Sequence, residues 1–224
     1  MFFTRIFFSI GLVSLALCGS VLADDTIEQD DTLVINGCRI EPGTQCPGVD
    51  LAGADLSNAD LSEAVLSGAN LQGVVLRHAK LGNANLAGAQ LMQADLARAD
   101  LRHANLRGSD MTGANLEAVN GWAAFFQGST LDSANLRGGN FEFARFSGAS
   151  IRSADMRAAN FEMAWMVKAD MNAAQLINAN LQEAKLSNAS LIKADLSGAH
   201  IRFALFLDTA MDGCTACPFD WQLR

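Results

Sequence analysis

Apolar and polar positions along this chain keep a single phase of five residues. From Leu51 to Met211 a centre recurs at every fifth position, and 32 of these 33 centres are Leu, Met, Phe or Ile. Two residues ahead of each centre, from Ala54 to Thr209, the side chain is small, and 26 of those 32 are Ala. An α-helix turns about 100° per residue and a strand about 180°, so a step of five would carry the apolar side away from any fixed face. A backbone that turns about 90° per repeat keeps every centre on one axis and closes after roughly 20 residues. The pattern predicts an all-β coil of square cross-section, its interior filled by the centres and the small residues before them.

The polar positions predict the corners. The residue just before each centre is Asp or Asn at 18 of 33 positions, and the residue two places after it is Gly at 11, including Gly53, Gly68, Gly88 and Gly148. Asx side chains bond neighbouring backbone groups and Gly allows positive φ, so turns fall where these residues recur. Successive coils must pair through backbone hydrogen bonds, because a dry interior offers no water to satisfy them. Gly121 is the one centre without an apolar side chain, and it is followed by Trp122-Ala123-Ala124-Phe125-Phe126. A bulge or loosened corner is expected there.

The pattern small-(Asp/Asn)-Leu-x-x, as in Ala54-Asp55-Leu56 and Ala69-Asn70-Leu71, strongly resembles the pentapeptide repeat family over about residues 49 to 213. The resemblance implies a right-handed quadrilateral β-helix with four repeats per coil. On that basis the centres make about eight coils, a rod roughly 40 Å long at ~4.8 Å per stacked coil. Residues 1–23 are expected to be a signal peptide, 24–48 an acidic lead-in and N-terminal cap, 49–213 the solenoid, and 214–224 a C-terminal cap. The signal consists of Arg5, an apolar run from Ile6 to Leu17, and Val21-Leu22-Ala23 as cleavage site. That run is too short to span a bilayer comfortably, so no stable membrane insertion is expected after cleavage. Export to a bacterial periplasm, or secretion, follows. A lipid anchor through Cys18 is the alternative, although Leu17 is bulky where the lipoprotein motif needs a small residue.

Export gives the remaining cysteines a structural meaning. Cys38, Cys46, Cys214 and Cys217 allow three pairings on paper. A rod of this length separates the first two from the last two, so Cys38 with Cys46 and Cys214 with Cys217 are the expected disulfides, one at each end. The CxxC at 214–217 could also serve redox chemistry or half a zinc site, but a second ligand pair and a thioredoxin-like context are both missing. Thr32-Leu33-Val34-Ile35 resembles a short strand, with Asn36-Gly37 as the turn after it, and Pro218, Phe219 and Trp221 could fold over the last coil. Uncapped, both ends would present unpaired backbone to other chains.

The chain carries a formal net charge of −8. Its distribution weakens any electrostatic reading. Residues 24 to 41 hold six acids against Arg39, whereas Asp50 to Asp212 hold 17 acids and 13 bases. The repeat body is thus nearly balanced. A basic group of Arg77, Lys80, Arg98, Arg102 and Arg107, with His78 and His103, is interleaved with Asp95, Asp100 and Asp110 and is expected to be a solvated mixed surface.

Catalysis needs a concave site with convergent polar groups, and this interior holds Leu, Phe and Ala. His78, His103 and His200 fall in different columns or several coils apart, and no GxxxxGK[ST] loop occurs. No catalytic residue, cofactor or metal is expected, and the chain is not expected to be an enzyme. Among relatives implied by the resemblance are quinolone-resistance proteins, rods that mimic DNA and occupy DNA gyrase. That function is the alternative, and the near-balanced body and export signal count against it, as they do against binding nucleic acid. The favoured reading is a scaffold or protein-interaction module. With four quintets to a coil, the outward apolar residues Trp122, Phe125, Phe143, Met163 and Trp165 fall around one corner, with Val167, Phe203, Leu205 and Leu207 nearby. Extended apolar patches are uncommon on soluble monomers, so this ridge is the candidate surface for a protein partner or for self-association. Folding of some of these residues against each other at the Gly121 bulge is the alternative.

Overall fold

The computed structural model describes residues 32–218 of the 224-residue chain. The expected signal peptide at 1–23, Cys18, most of the acidic lead-in, and Phe219 and Trp221 lie outside the described residues.

Parallel bridges run without a gap from Gln45–Val65 to Asp195–Thr215, each joining a residue to the one four quintets further along the chain. Four five-residue steps therefore make one coil, and the chain winds as a quadrilateral β-helix. Each side contributes a single bridged residue between turns, so the extended strands among the described residues are only two. They are β1 (Val34–Ile35) and β2 (Cys38–Arg39), an antiparallel hairpin at the start of the coil. Asn36 and Gly37, at φ 50° and 78°, make its tight turn, as the Asn-Gly pair requires. The Asn36 side chain then donates to the Asp50 carbonyl at 2.7 Å, tying the hairpin to the coil. Cys38 and Cys46 are joined by a disulfide, with Cα atoms 5.7 Å apart, and so are Cys214 and Cys217, at 5.8 Å.

The interior is what the apolar phase requires. Every apolar centre from Leu51 to Leu196 is at most 2% exposed, and the small residues between them are buried from Ala64 to Ala194. Ser109 and Ser129, two polar side chains in the small position, donate to the carbonyls of Leu106 and Phe126 at 2.8 and 2.7 Å, so neither hydroxyl is stranded. Between coils, the N–H of each centre from Leu51 to Leu196 donates to a carbonyl in the coil above, as Leu96 does to Asn115 at 2.7 Å.

The corners follow a stricter rule than glycine frequency suggests. Every fifth residue from Gly43 to Gly213 has φ between 53° and 70°, and 22 of these 35 are not glycine. Each sits in a tight turn, exemplified by Ala54 N–H donating to Leu51 C=O at 3.1 Å around Gly53. An L-residue in this conformation costs about 1–2 kcal/mol, partly offset by the larger entropy that Gly loses on folding. Lys168 occupies such a corner at φ 60°, above the glycines at 68, 88, 108, 128 and 148. Lys168→Gly is expected to stabilise the chain by about 0.5–1 kcal/mol, visible as a melting temperature higher by about 2–4 °C. A lower melting temperature would contradict the corner assignment.

The expected bulge at Gly121 is absent. Gly121 keeps the register, its N–H donating to Asn140 C=O at 2.7 Å and its carbonyl accepting from Ala124 at 3.0 Å, with Asn120 bridged to Asn140. The reason lies one coil above. A Cβ on Gly121 would stand 2.8 Å from Cδ1 of Phe141, and one on Gly139 would stand 2.5 Å from Cε2 of the same ring. The two glycines make room for the Phe141 ring in the orientation it adopts. Phe141 in turn stacks on Phe161 at 5.2 Å and meets Phe126 and Phe146 edge-on at 5.9 and 5.6 Å. The missing side chain is filled from above, not compensated by a loosened backbone.

Candidate interaction face

Each side of the square carries one outward residue per coil, the position just before the centre. An Asp or Asn there accepts from the backbone N–H two residues on, as Asp50 does from Ala52 at 3.1 Å and Asn105 from Arg107 at 3.3 Å. Asn side chains also ladder between coils, Asn180 to Asn160 to Asn140 at 2.9 and 3.1 Å. From residue 110 to 195 three of the four sides hold only Asp, Asn, Ser, Thr or Gln at this position. On the fourth, after Asn85 and Asn105, the series becomes Phe125, Arg145, Trp165, Lys185 and Leu205. Within that stretch four consecutive coils carry an aromatic or a cation at this position, and they do so on one side alone.

What replaces it is an alternating ladder. The Arg107 guanidinium lies 4.3 Å from the Phe125 ring centre, Arg145 lies 5.3 Å from Phe125 and 5.9 Å from Trp165, and Lys185 Nζ lies 3.7 Å from Trp165. Cations are thus held against the ring faces by attraction to the aromatic quadrupole. The ion pairs among the described residues are Arg39–Glu41, Arg77–Asp95, Lys80–Asp60, Arg102–Asp100, Arg152–Asp170 and Arg157–Asp155, and none uses Arg107, Arg145 or Lys185.

The leading corner of this side carries Trp122, Phe143 and Met163. Trp122 is half-buried, edge-on to His103 at 4.8 Å and to Phe143 at 6.0 Å. Phe143 and Met163 hold left-handed φ of 59° and 55°, which bulky side chains rarely adopt. With Phe203, φ 61°, they are the only large apolar residues at any such corner among the described residues, and all three share one column. Phe143 is 39% and Trp165 44% exposed.

The five residues singled out from sequence therefore share one side and its corner, but not as one apolar ridge. Trp122 and Phe143 touch, whereas Phe125 and Trp165 are separated by the coil of Arg145, whose guanidinium lies between the rings. Arg145 and Lys185 are legible in the same column of the sequence, but a search for outward apolar residues alone passes over them.

The basic group resolves differently. Arg77, Lys80 and Arg102 pair with Asp95, Asp60 and Asp100, and Arg77 also borders a cleft lined by His78, Ala97, Arg98, Asn115 and Glu117. Hydrogen bonds from the guanidiniums of Arg102 and Arg157 hold the carboxyls of Asp100 and Asp155 below the ordinary carboxylate range, and the Ser57 hydroxyl does the same for Asp55. Among the described residues no group of His, Cys, Asp and Glu could hold a metal ion, and no helix is long and apolar enough to cross a membrane.

The sequence matches pentapeptide repeats in eight copies, over residues 44–83, 69–108, 84–120, 124–162 and 169–206. Among solved structures it is similar to HetL, a pentapeptide repeat protein involved in heterocyst differentiation regulation from the cyanobacterium Nostoc sp. strain PCC 7120. That likeness has 31% identity over 77% of this chain and 87% of HetL, with a TM-score of 0.67. A trypsin-treated variant of QnrB1, a plasmid-mediated fluoroquinolone resistance protein, shares the fold at 14% identity and a TM-score of 0.52, over 81% of this chain and 93% of its own. No curated protein sequence matches the chain. With its repeats, its coil-to-coil bridging and the right-handed quadrilateral β-helix of these neighbours, the chain belongs to the pentapeptide repeat family.

Proposed function

We propose that the chain is a non-enzymatic, exported scaffold whose rod, about eight coils closed by disulfide-clipped ends, presents the side from Phe125 to Leu205 and its corner to a protein partner. One observation carries this reading. Between residues 110 and 195 the polar residue before the centre is replaced on one side only, at four successive coils, by the aromatic and cationic side chains Phe125, Arg145, Trp165 and Lys185. Departures that cost local stability without an internal gain mark functional surfaces. Left-handed Phe143 and Met163 at the adjoining corner add to that cost. The two disulfides suit an oxidising compartment.

Crosslinking in intact cells, followed by capture of the chain, tests the proposal. A crosslinked species is expected for the natural protein, and Trp165→Glu should reduce it at least about tenfold, as loss of an aromatic anchor at an interface does. Equal yields from both proteins would refute the assignment of this face.

A further inference from the structure

The order of residues on this face is self-complementary. Along the column the chain places Phe125, Arg145, Trp165 and Lys185, aromatic and cation in alternation. Reversed, the series runs cation, aromatic, cation, aromatic. We propose that the partner of this face is a second copy of the chain, packed antiparallel about a twofold axis that crosses the rods between the coils of Arg145 and Trp165. The inference rests on the interaction reading above and names the partner that reading leaves open.

In that arrangement Arg145 meets Trp165 of the second copy, and Phe125 meets Lys185 of the second copy. Two rods of identical rise stay in step, so each of the four positions finds its partner at the same height. The twofold axis also brings like flank onto like flank. On the leading corner Phe143 faces Met163 of the second copy, an aromatic against a thioether. On the trailing corner Gln127 faces Ser187 of the second copy. Among the described residues Gln127 Oε1 is the one buried side-chain oxygen or nitrogen without a hydrogen-bond partner, and Ser187 of the second copy brings a hydroxyl to that corner.

Other registers set like charges together or leave ladder residues unmatched. Parallel rods place Arg145 against Arg145 and Lys185 against Lys185. An axis through Trp165 sets Arg145 against Lys185. Shifting the axis one coil down pairs Trp165 and Lys185 with Asn105 and Asn85, and one coil up leaves Arg145 against Leu205. Only the axis between Arg145 and Trp165 matches all four ladder residues. The strip from Phe125 to Leu205 is roughly 20 Å tall, short of a standard interface, so association is expected in the micromolar range.

Sedimentation velocity of the purified protein between about 1 and about 200 μM reads the outcome. The natural chain is expected to shift from monomer towards dimer. Trp165→Arg creates the series Phe, Arg, Arg, Lys, sets arginine against arginine, and should leave a monomer throughout. Adding Arg145→Trp gives Phe, Trp, Arg, Lys, which is again self-complementary, and should restore the dimer. Mixed Phe125→Cys and Lys185→Cys chains should form a disulfide-linked pair under mild oxidation, and neither variant alone should. Unchanged thermal melts of these surface variants keep the reading free of misfolding. A natural chain that stays monomeric, a Trp165→Arg variant that still pairs, or a double variant that does not would each overturn antiparallel self-pairing. If the natural chain is monomeric yet crosslinks to a different protein in a Trp165-dependent way, self-pairing falls and the interaction face stands. If nothing crosslinks, both fall.

Discussion

Leu96→Asp is expected to abolish cooperative folding. Leu96 is completely buried in a column with Leu76 below and Leu116 above, inside a continuous core of apolar centres and small side chains. A carboxylate placed there has no water and no cation, and the cost of several kcal/mol adds to the lost burial of the leucine. In a solenoid each coil is stabilised chiefly by its neighbours, so a failed middle coil uncouples those on either side. The loss should exceed about 4–5 kcal/mol, against less than about 1.5 kcal/mol for Leu96→Met. Thermal melts followed by circular dichroism distinguish them. A natural melting temperature for Leu96→Asp would mean that the centres do not point inward.

Gly121→Leu is expected to destabilise the chain although it restores the repeat pattern. The new side chain would enter the volume held by the Phe141 ring, which is fully buried and fixed by Phe161, Phe126 and Phe146. Overpacking of this kind costs about 1–3 kcal/mol, and more where the ring cannot turn aside. Combined with Phe141→Leu, the same substitution should recover most of the loss, because the two changes share one cavity and are not additive. Chemical denaturation of the four proteins measures the coupling. A stabilised Gly121→Leu single variant would show that the glycine is an unfilled defect and not one half of a matched pair.

These cases show where the sequence is legible. Inward positions such as Leu96 are readable because a five-residue period admits a single inner face, and burial leaves no choice of residue class. Corners are readable in place but not in stringency. The glycines mark some of them, whereas Phe143 or Lys168 in the same left-handed conformation carries no local signal and is held there by the coils above and below. Gly121 misleads because its explanation sits a full coil away at Phe141, a distance that a pass along the chain does not bridge. On the candidate face the apolar members stand out by type. Arg145 and Lys185 look like ordinary surface cations until the coil stacks them on Phe125 and Trp165.

Because the chain returns to the same side after every fourth quintet, lengthening and shortening come in two kinds. Loss of a full turn removes one rung and leaves all later residues facing as before. Removal of a single quintet between Phe125 and Arg145 would leave each leucine inside, yet swing everything downstream by a quarter circle, sending Arg145, Trp165 and Lys185 to a wall that Phe125 does not occupy. Evolutionary tinkering by quintets can thus dismantle a recognition stripe while the rod itself stays sound, so descendants that keep the stripe should change length between its members only by whole turns.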